Sequence, residues 1–106
     1  MDQRVVSKNE VDEQGNPTGG TVTGTGIDIR WQDGPLGRGT DRREPNGAFV
    51  EGVIRAALER LYFYQDSKFK CRENALAITK LEEALHWLNH RTTEREHRGI
   101  EGTHAN

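Results

Sequence analysis

Cys71 is the one cysteine in 106 residues, which excludes an intrachain disulfide and fits a reducing compartment, although a lone cysteine also serves as a small buried hydrophobe. No run approaches the roughly 18 apolar residues of a membrane span. The N-terminus has no apolar signal core either, so a soluble cytosolic protein with no export address is expected. An excess of positive charge is also lacking. The net charge of −2 argues against a general binder of nucleic acid or membrane surfaces and confines any phosphate recognition to a local cluster. Apolar residues are scarce, at 32% against 30% charged with a mean hydropathy of −0.89, below the share usual in a domain that folds alone. Because the apolar residues cluster after Phe49, a small core completed by another subunit is the expected remedy.

The usual catalytic signatures are missing. GPLGRG at 34–39 lacks the Gly-Lys-Ser/Thr ending of a phosphate loop and does not run straight into a helix. His86 and His90 lie four apart with Glu82 and Glu94 a turn away, a spacing that metal sites use, but the H-E-x-x-H order is absent and no metal is expected. A nucleophile would have to be assembled from Ser67 or Cys71 with one of four histidines, and neither a nucleophile elbow nor a paired-carboxylate spacing is present. The chain is therefore not expected to be an enzyme, and no cofactor is expected.

What is present changes character near Pro45. Nine of twelve glycines lie in residues 1–47, while charge is even: residues 1–43 carry six Lys/Arg against seven Asp/Glu, and residues 44–106 nine against ten. A single domain is expected, with residues 1–44 as a β-hairpin and Gly/Arg-rich loop and residues 45–106 as a helical hairpin with a C-terminal tail. Arg4–Asp12 is a weak strand, and QGNPTGG at 14–20 is dense in turn residues. From about Thr21 to Gln32, Ile27, Ile29 and Trp31 alternate with Asp28, Arg30 and Gln32, the period-2 pattern of a half-buried strand. Asp33–Glu44 reads as a surface loop whose Arg38, Arg42 and Arg43 could reach a ligand.

Pro45-Asn46-Gly47 marks a helix start with Asn46 as N-cap. Phe49, Val50, Val53, Ile54, Ala57, Leu58, Leu61 and Tyr64 recur at three- and four-residue steps, predicting an amphipathic helix that ends near Gln65. A short connection at 67–72 makes the next helix, from about Glu73 to Arg98, its antiparallel neighbour. At about 1.5 Å per residue this second helix is close to 40 Å long. The fold class expected is α+β: an N-terminal β-hairpin packed on a long antiparallel αα-hairpin, assembled at least as a dimer.

Arg91, Arg95 and Arg98 fall at i, i+4 and i+7, sharing one face of that helix just before Gly99, a natural C-terminal cap. Three guanidiniums in line suit phosphate or carboxylate, although cations at a helix C-terminus also simply complement its dipole. Tyr64 and Asn74 are ten residues apart across the turn, so an aromatic face and an amide for a base edge become neighbours. Within one hairpin the arginines lie at the opposite end. They join Tyr64 and Asn74 only if a second subunit packs antiparallel, which puts two sites at the interface of a symmetric dimer.

WQDGPLGRG (31–39), PNGAFVEGVI (45–54), RLYFYQDSKFKCREN (60–74) and LNHRTTEREHRGIEGTH (88–104) together resemble the phage Thoeris anti-defence proteins of the first type, whose helical hairpin is shared with the second type of anti-CBASS protein. The resemblance covers roughly residues 24–104, and RGIEGTH is its most specific part. It implies a sponge that binds cyclic ADP-ribose isomers in the cytoplasm of the infected bacterial host and holds them without cleavage. Several members of the family also bind cyclic di- or trinucleotides at a separate site. Carried over by position, the ligand aromatic falls on Tyr64, the amide on Asn74, the helix-end arginines on Arg91 and Arg95, and a loop arginine on Arg38, with Arg42 and Arg43 close enough to substitute. The second site, formed where subunits of a hexamer meet, falls on Arg98, Gly99 and Thr103. Two other functions fit the same residues: a phosphodiesterase-type hydrolase of the same signals, and a structural αα-hairpin that binds protein.

Overall fold

A computed structural model of the chain describes residues 2–97. They form two compact units that meet between Phe49 and Val50, a few residues beyond the compositional break near Pro45. The proposed second-site residues Arg98, Gly99 and Thr103 lie outside the described residues.

The first unit is an antiparallel sheet of three strands in the order β1-β2-β3: β1 (Val6–Val11), β2 (Pro17–Gly24) and β3 (Ile27–Arg30). The single second strand expected from about Thr21 to Gln32 is thus broken in two. Thr25-Gly26 turns the chain, with Gly26 at φ +74° in the left-handed region that only glycine takes without cost. The alternation survives the break, since Ile27, Ile29 and Trp31 are half-buried while Asp28 and Arg30 are exposed. β1 is exposed at every residue, as suits an edge strand carrying Lys8 and Glu10.

The β1–β2 connection is tied by Asp12, whose Oδ1 accepts the backbone N–H groups of Gln14 and Asn16, both at 2.9 Å. The glycines read as turn residues at 19 and 20 belong instead to the central strand. Gly20 is buried at φ +147°, and a Cβ there would run into the Lys8 carbonyl; only glycine lets the two backbones come so close.

Asn46 does not cap a helix. Its Oδ1 accepts the Asp33 N–H at 2.8 Å, its Nδ2 donates to the Asp33 carbonyl at 3.2 Å, and its own N–H donates to Gln32 Oε1 at 2.8 Å. This clasp closes the loop between them, in which Gly39–Asp41 forms one 3₁₀ turn, and it sets Ala48 beside Trp31 in a short parallel bridge.

The second unit is the helical hairpin, α1 (Val50–Gln65) and α2 (Arg72–His97). On α2 the buried or half-buried residues Asn74, Ile78, Leu81, Leu85, Leu88, Thr92 and Arg95 recur at alternating four- and three-residue steps, which is the row that faces α1. Ala77 and Ala84, expected on the same stripe, flank this row and are half-buried. Tyr62 on α1 donates to Glu82 on α2 at 2.7 Å, fixing the antiparallel register. The core of this pair is thin: Leu58 is fully buried and Leu85 is 7% exposed, while Val50, Phe63, Leu76 and Trp87 stand 45–67% exposed.

With one fully enclosed side chain, the hairpin is sensitive there. Leu58→Ala is expected to cost about 2–5 kcal/mol by the usual transfer and cavity terms, read as a lower denaturant midpoint with an unchanged slope. Gly20→Ala should loosen the β1–β2 pairing without affecting the helices, measured as faster amide exchange confined to residues 6–24.

Candidate functional site

The turn between α1 and α2 is built to hold two side chains. Gln65, the last residue of α1, donates Nε2 to the Cys71 carbonyl at 2.9 Å and accepts the Cys71 N–H at 3.0 Å. One side-chain amide thereby pairs with the backbone as a neighbouring strand would, and it closes the loop. Ser67 Oγ donates to the carbonyl of Tyr64 and accepts the Phe69 N–H at 3.1 Å. Cys71 then starts α2: its sulfur accepts the Asn74 N–H at 3.4 Å, and its carbonyl accepts the Ala75 N–H at 3.2 Å. The exposed cysteine acts as a helix cap and not as core filling.

Tyr64 and Asn74 flank this closed turn, as their spacing predicted. Tyr64 is half-buried in the last turn of α1, and its backbone is held through Ser67. Asn74 is half-buried in the first turn of α2, where Nδ2 donates to the Phe69 carbonyl at 3.4 Å. Its Oδ1 accepts no bond among the described residues, which leaves that oxygen as an open acceptor. The Tyr64 ring has company that spacing alone did not flag. Phe63 packs against it with ring centroids 6.0 Å apart at 53°, and the Arg60 guanidinium carbon lies 4.9 Å from the Tyr64 centroid and 5.2 Å from that of Phe63. The signal was legible in principle, since Arg60 precedes the two aromatics by three and four residues, the helical contact distances.

Arg91 and Arg95 lie on the last turns of α2, Arg91 exposed and Arg95 half-buried on the row that faces α1. Asn74 and Arg91 are seventeen positions apart on one continuous helix, which at a rise of 1.5 Å is roughly 25 Å. One hairpin therefore does not bring the arginines to Tyr64 and Asn74. Arg38 belongs to the first unit, exposed at the start of the 3₁₀ turn, where its carbonyl accepts the Asp41 N–H at 3.0 Å.

His86 and His90 both meet the Trp87 ring edge-on, with centroids 5.7 and 5.9 Å away. Among the described residues no group of three His, Cys, Asp or Glu is placed to hold a metal ion, and no helix is long and apolar enough to cross a membrane.

Residues 24–93 match the family model described as the Acb2/Tad1 hairpin domain. Over 76 residues the chain is 63% identical to Thoeris anti-defense 1 of Bacillus phage SBSphiJ7, an overlap that takes in 72% of this chain and 51% of the relative. The chain belongs to the Acb2/Tad1 hairpin family. It spans about half the length of that phage relative. Tyr64, Asn74, Arg91 and Arg38 lie inside the matched Acb2/Tad1 hairpin stretch, and Arg95 lies just past its end.

The hydrogen bond to Glu82, with a smaller contribution from desolvation, holds the Tyr62 phenol above its ordinary ionisation range. Folding thus favours the protonated phenol, and the stabilisation is complete below the usual tyrosine pKa and lost as pH rises through the folded one. Glu82→Gln is expected to move this ionisation down, measured as an earlier phenolate absorbance rise in an alkaline titration. An unchanged titration would mean that the bond is not formed in solution.

Proposed function

We propose that the chain is a phage anti-defence protein that captures cyclic nucleotide immune signals, cyclic ADP-ribose isomers first among them, and sequesters them without cleavage in the cytoplasm of the infected host. The observation that carries this reading is the turn itself: an aromatic face at Tyr64 and an amide at Asn74 are fixed at one end of α2, while Arg91 and Arg95 occupy the other. A nucleotide needs all three kinds of group, a ring to stack its base, an amide for the base edge and guanidiniums for its phosphates.

The three meet when a second copy packs antiparallel, so the proposed assembly is a homodimer with two equivalent sites, or a hexamer built from such dimers. The exposed apolar side chains of the hairpin, Val50, Phe63, Leu76 and Trp87, support burial against another subunit. Arg38 is the proposed loop contribution to the phosphate end. Arg98, Gly99 and Thr103 are the proposed lining of a separate site for cyclic di- or trinucleotides, formed where subunits meet in the larger assembly. The name of the phage relative, Thoeris anti-defense 1, supports the biological setting.

Capture without turnover sets no requirement for a nucleophile or a general base. It requires tight holding, to which each charge-assisted hydrogen bond contributes about 1.5–3 kcal/mol. Incubating the protein with cyclic ADP-ribose isomers, heating it and analysing the released ligand by mass spectrometry should return the isomer intact. A linear product would mean hydrolysis, and no binding at micromolar concentration would mean that the arginines serve another purpose. Because Arg91 is exposed, Arg91→Ala should leave the thermal midpoint nearly unchanged while weakening binding roughly tenfold to hundredfold for each such bond lost. Undiminished affinity would remove Arg91 from the site.

A further inference from the structure

We infer that Arg60 is a phosphate-binding residue of the same site, contributed by the subunit that supplies Tyr64 and Asn74. The inference rests on the nucleotide-capture reading above and extends it.

Two arginines of α1 are in contrasting surroundings. Arg55 has Glu51 four residues before it and Glu59 four residues after it, the spacing at which a helix neutralises a surface cation. Arg60 has Ala56 and Ala57 behind it and Phe63 and Tyr64 ahead. No carboxylate stands at a helical contact distance, and the guanidinium lies over the two rings at 5.2 and 4.9 Å. Among the described residues these rings are its contacts, with no ion pair.

A guanidinium that rests on an aromatic face is attracted by the ring quadrupole. Its planar fork of N–H donors makes no hydrogen bond or ion pair among the described residues and so remains available to an anion. The half-buried Tyr64 ring thus carries a cation over it, and a base stacked on the part of the ring left exposed would lie beside that cation. A base stacked there carries its ribose and phosphate out past the ring edge, within reach of a long side chain anchored one helical turn away. Arg60 also answers a problem of geometry: Arg91 and Arg95 reach this end only from another subunit, whereas Arg60 is already there. The phosphates would be gripped from both subunits, with Arg60 joining the ligand to the subunit that stacks its base.

The test compares the unmodified chain, Arg60→Met and Arg60→Lys by calorimetry with a cyclic ADP-ribose isomer at several salt concentrations. Methionine keeps an apolar stem over Tyr64 and removes the charge; lysine keeps the charge and loses the planar fork. The expected result is affinity lowered about tenfold to hundredfold in Arg60→Met with a flatter dependence on salt, partial recovery in Arg60→Lys, and the same thermal midpoint in all three. Undiminished affinity in Arg60→Met would overturn the inference and leave the proposed function standing. So would an equal loss in both variants with the salt dependence unchanged, since that would make Arg60 a cover for the ring and nothing more. No binding by the unmodified chain would overturn both.

Discussion

A continuous helix keeps its two ends apart, and in this chain that separation decides what the site can be. α2 is 26 residues long, roughly 39 Å at 1.5 Å per residue, with Asn74 in its first turn and Arg91 and Arg95 in its last ones. A hairpin cannot fold its own far end back onto its own turn without breaking the hydrogen bonds that make it a helix. Groups suited to a base and groups suited to phosphates are therefore held apart within one subunit. Under the proposed capture, a second subunit running the other way would unite them.

The same slenderness shapes the energetics. Two helices side by side enclose little between them, and here Leu58 is fully buried with Leu85 nearly so. The turn compensates locally, through the paired bonds of Gln65 with Cys71 and the bridge of Ser67 between Tyr64 and Phe69. Tyr64 and Asn74 are consequently presented on a closed turn, and under the proposed capture they would lose little conformational freedom on engaging a ligand, which favours affinity. Burial that the hairpin lacks is available at Val50, Phe63, Leu76 and Trp87, so assembly and site formation would be one event.

The helices were legible because their apolar residues repeat at three and four; α1 ends at Gln65 and α2 begins at Arg72, within a residue of the bounds their pattern suggested, and α2 continues to the last described residue, His97. The placing of Tyr64 and Asn74 on either side of the turn was equally readable from their separation. The sheet was harder. Gly24-Thr25-Gly26 precedes an alternating segment with no charge or proline to mark a break, so periodicity reads one strand where a turn makes two; the alternation of burial itself holds only from Ile27 to Trp31. Asn46 stood where an N-cap belongs, yet its amide is taken by Asp33 and Gln32, a contact between distant positions that local spacing does not encode. Arg60 is the opposite case. Its partners lie on the next turn of the same helix, but an apolar stripe carries no mark of a cation lying on two rings.

Subunit complementation tests a shared site most directly. Chains carrying Tyr64→Ala and chains carrying Arg91→Ala, each expected to bind weakly at every pocket when alone, would be co-expressed with different tags and the mixed assembly isolated through both. If each pocket draws its aromatic from one subunit and its arginines from another, a mixed dimer contains one intact pocket and one doubly altered pocket, and it should bind half as much cyclic ADP-ribose isomer as the unmodified dimer at undiminished affinity. A mixed assembly that binds no ligand, while each variant still associates, would contradict a pocket shared between subunits.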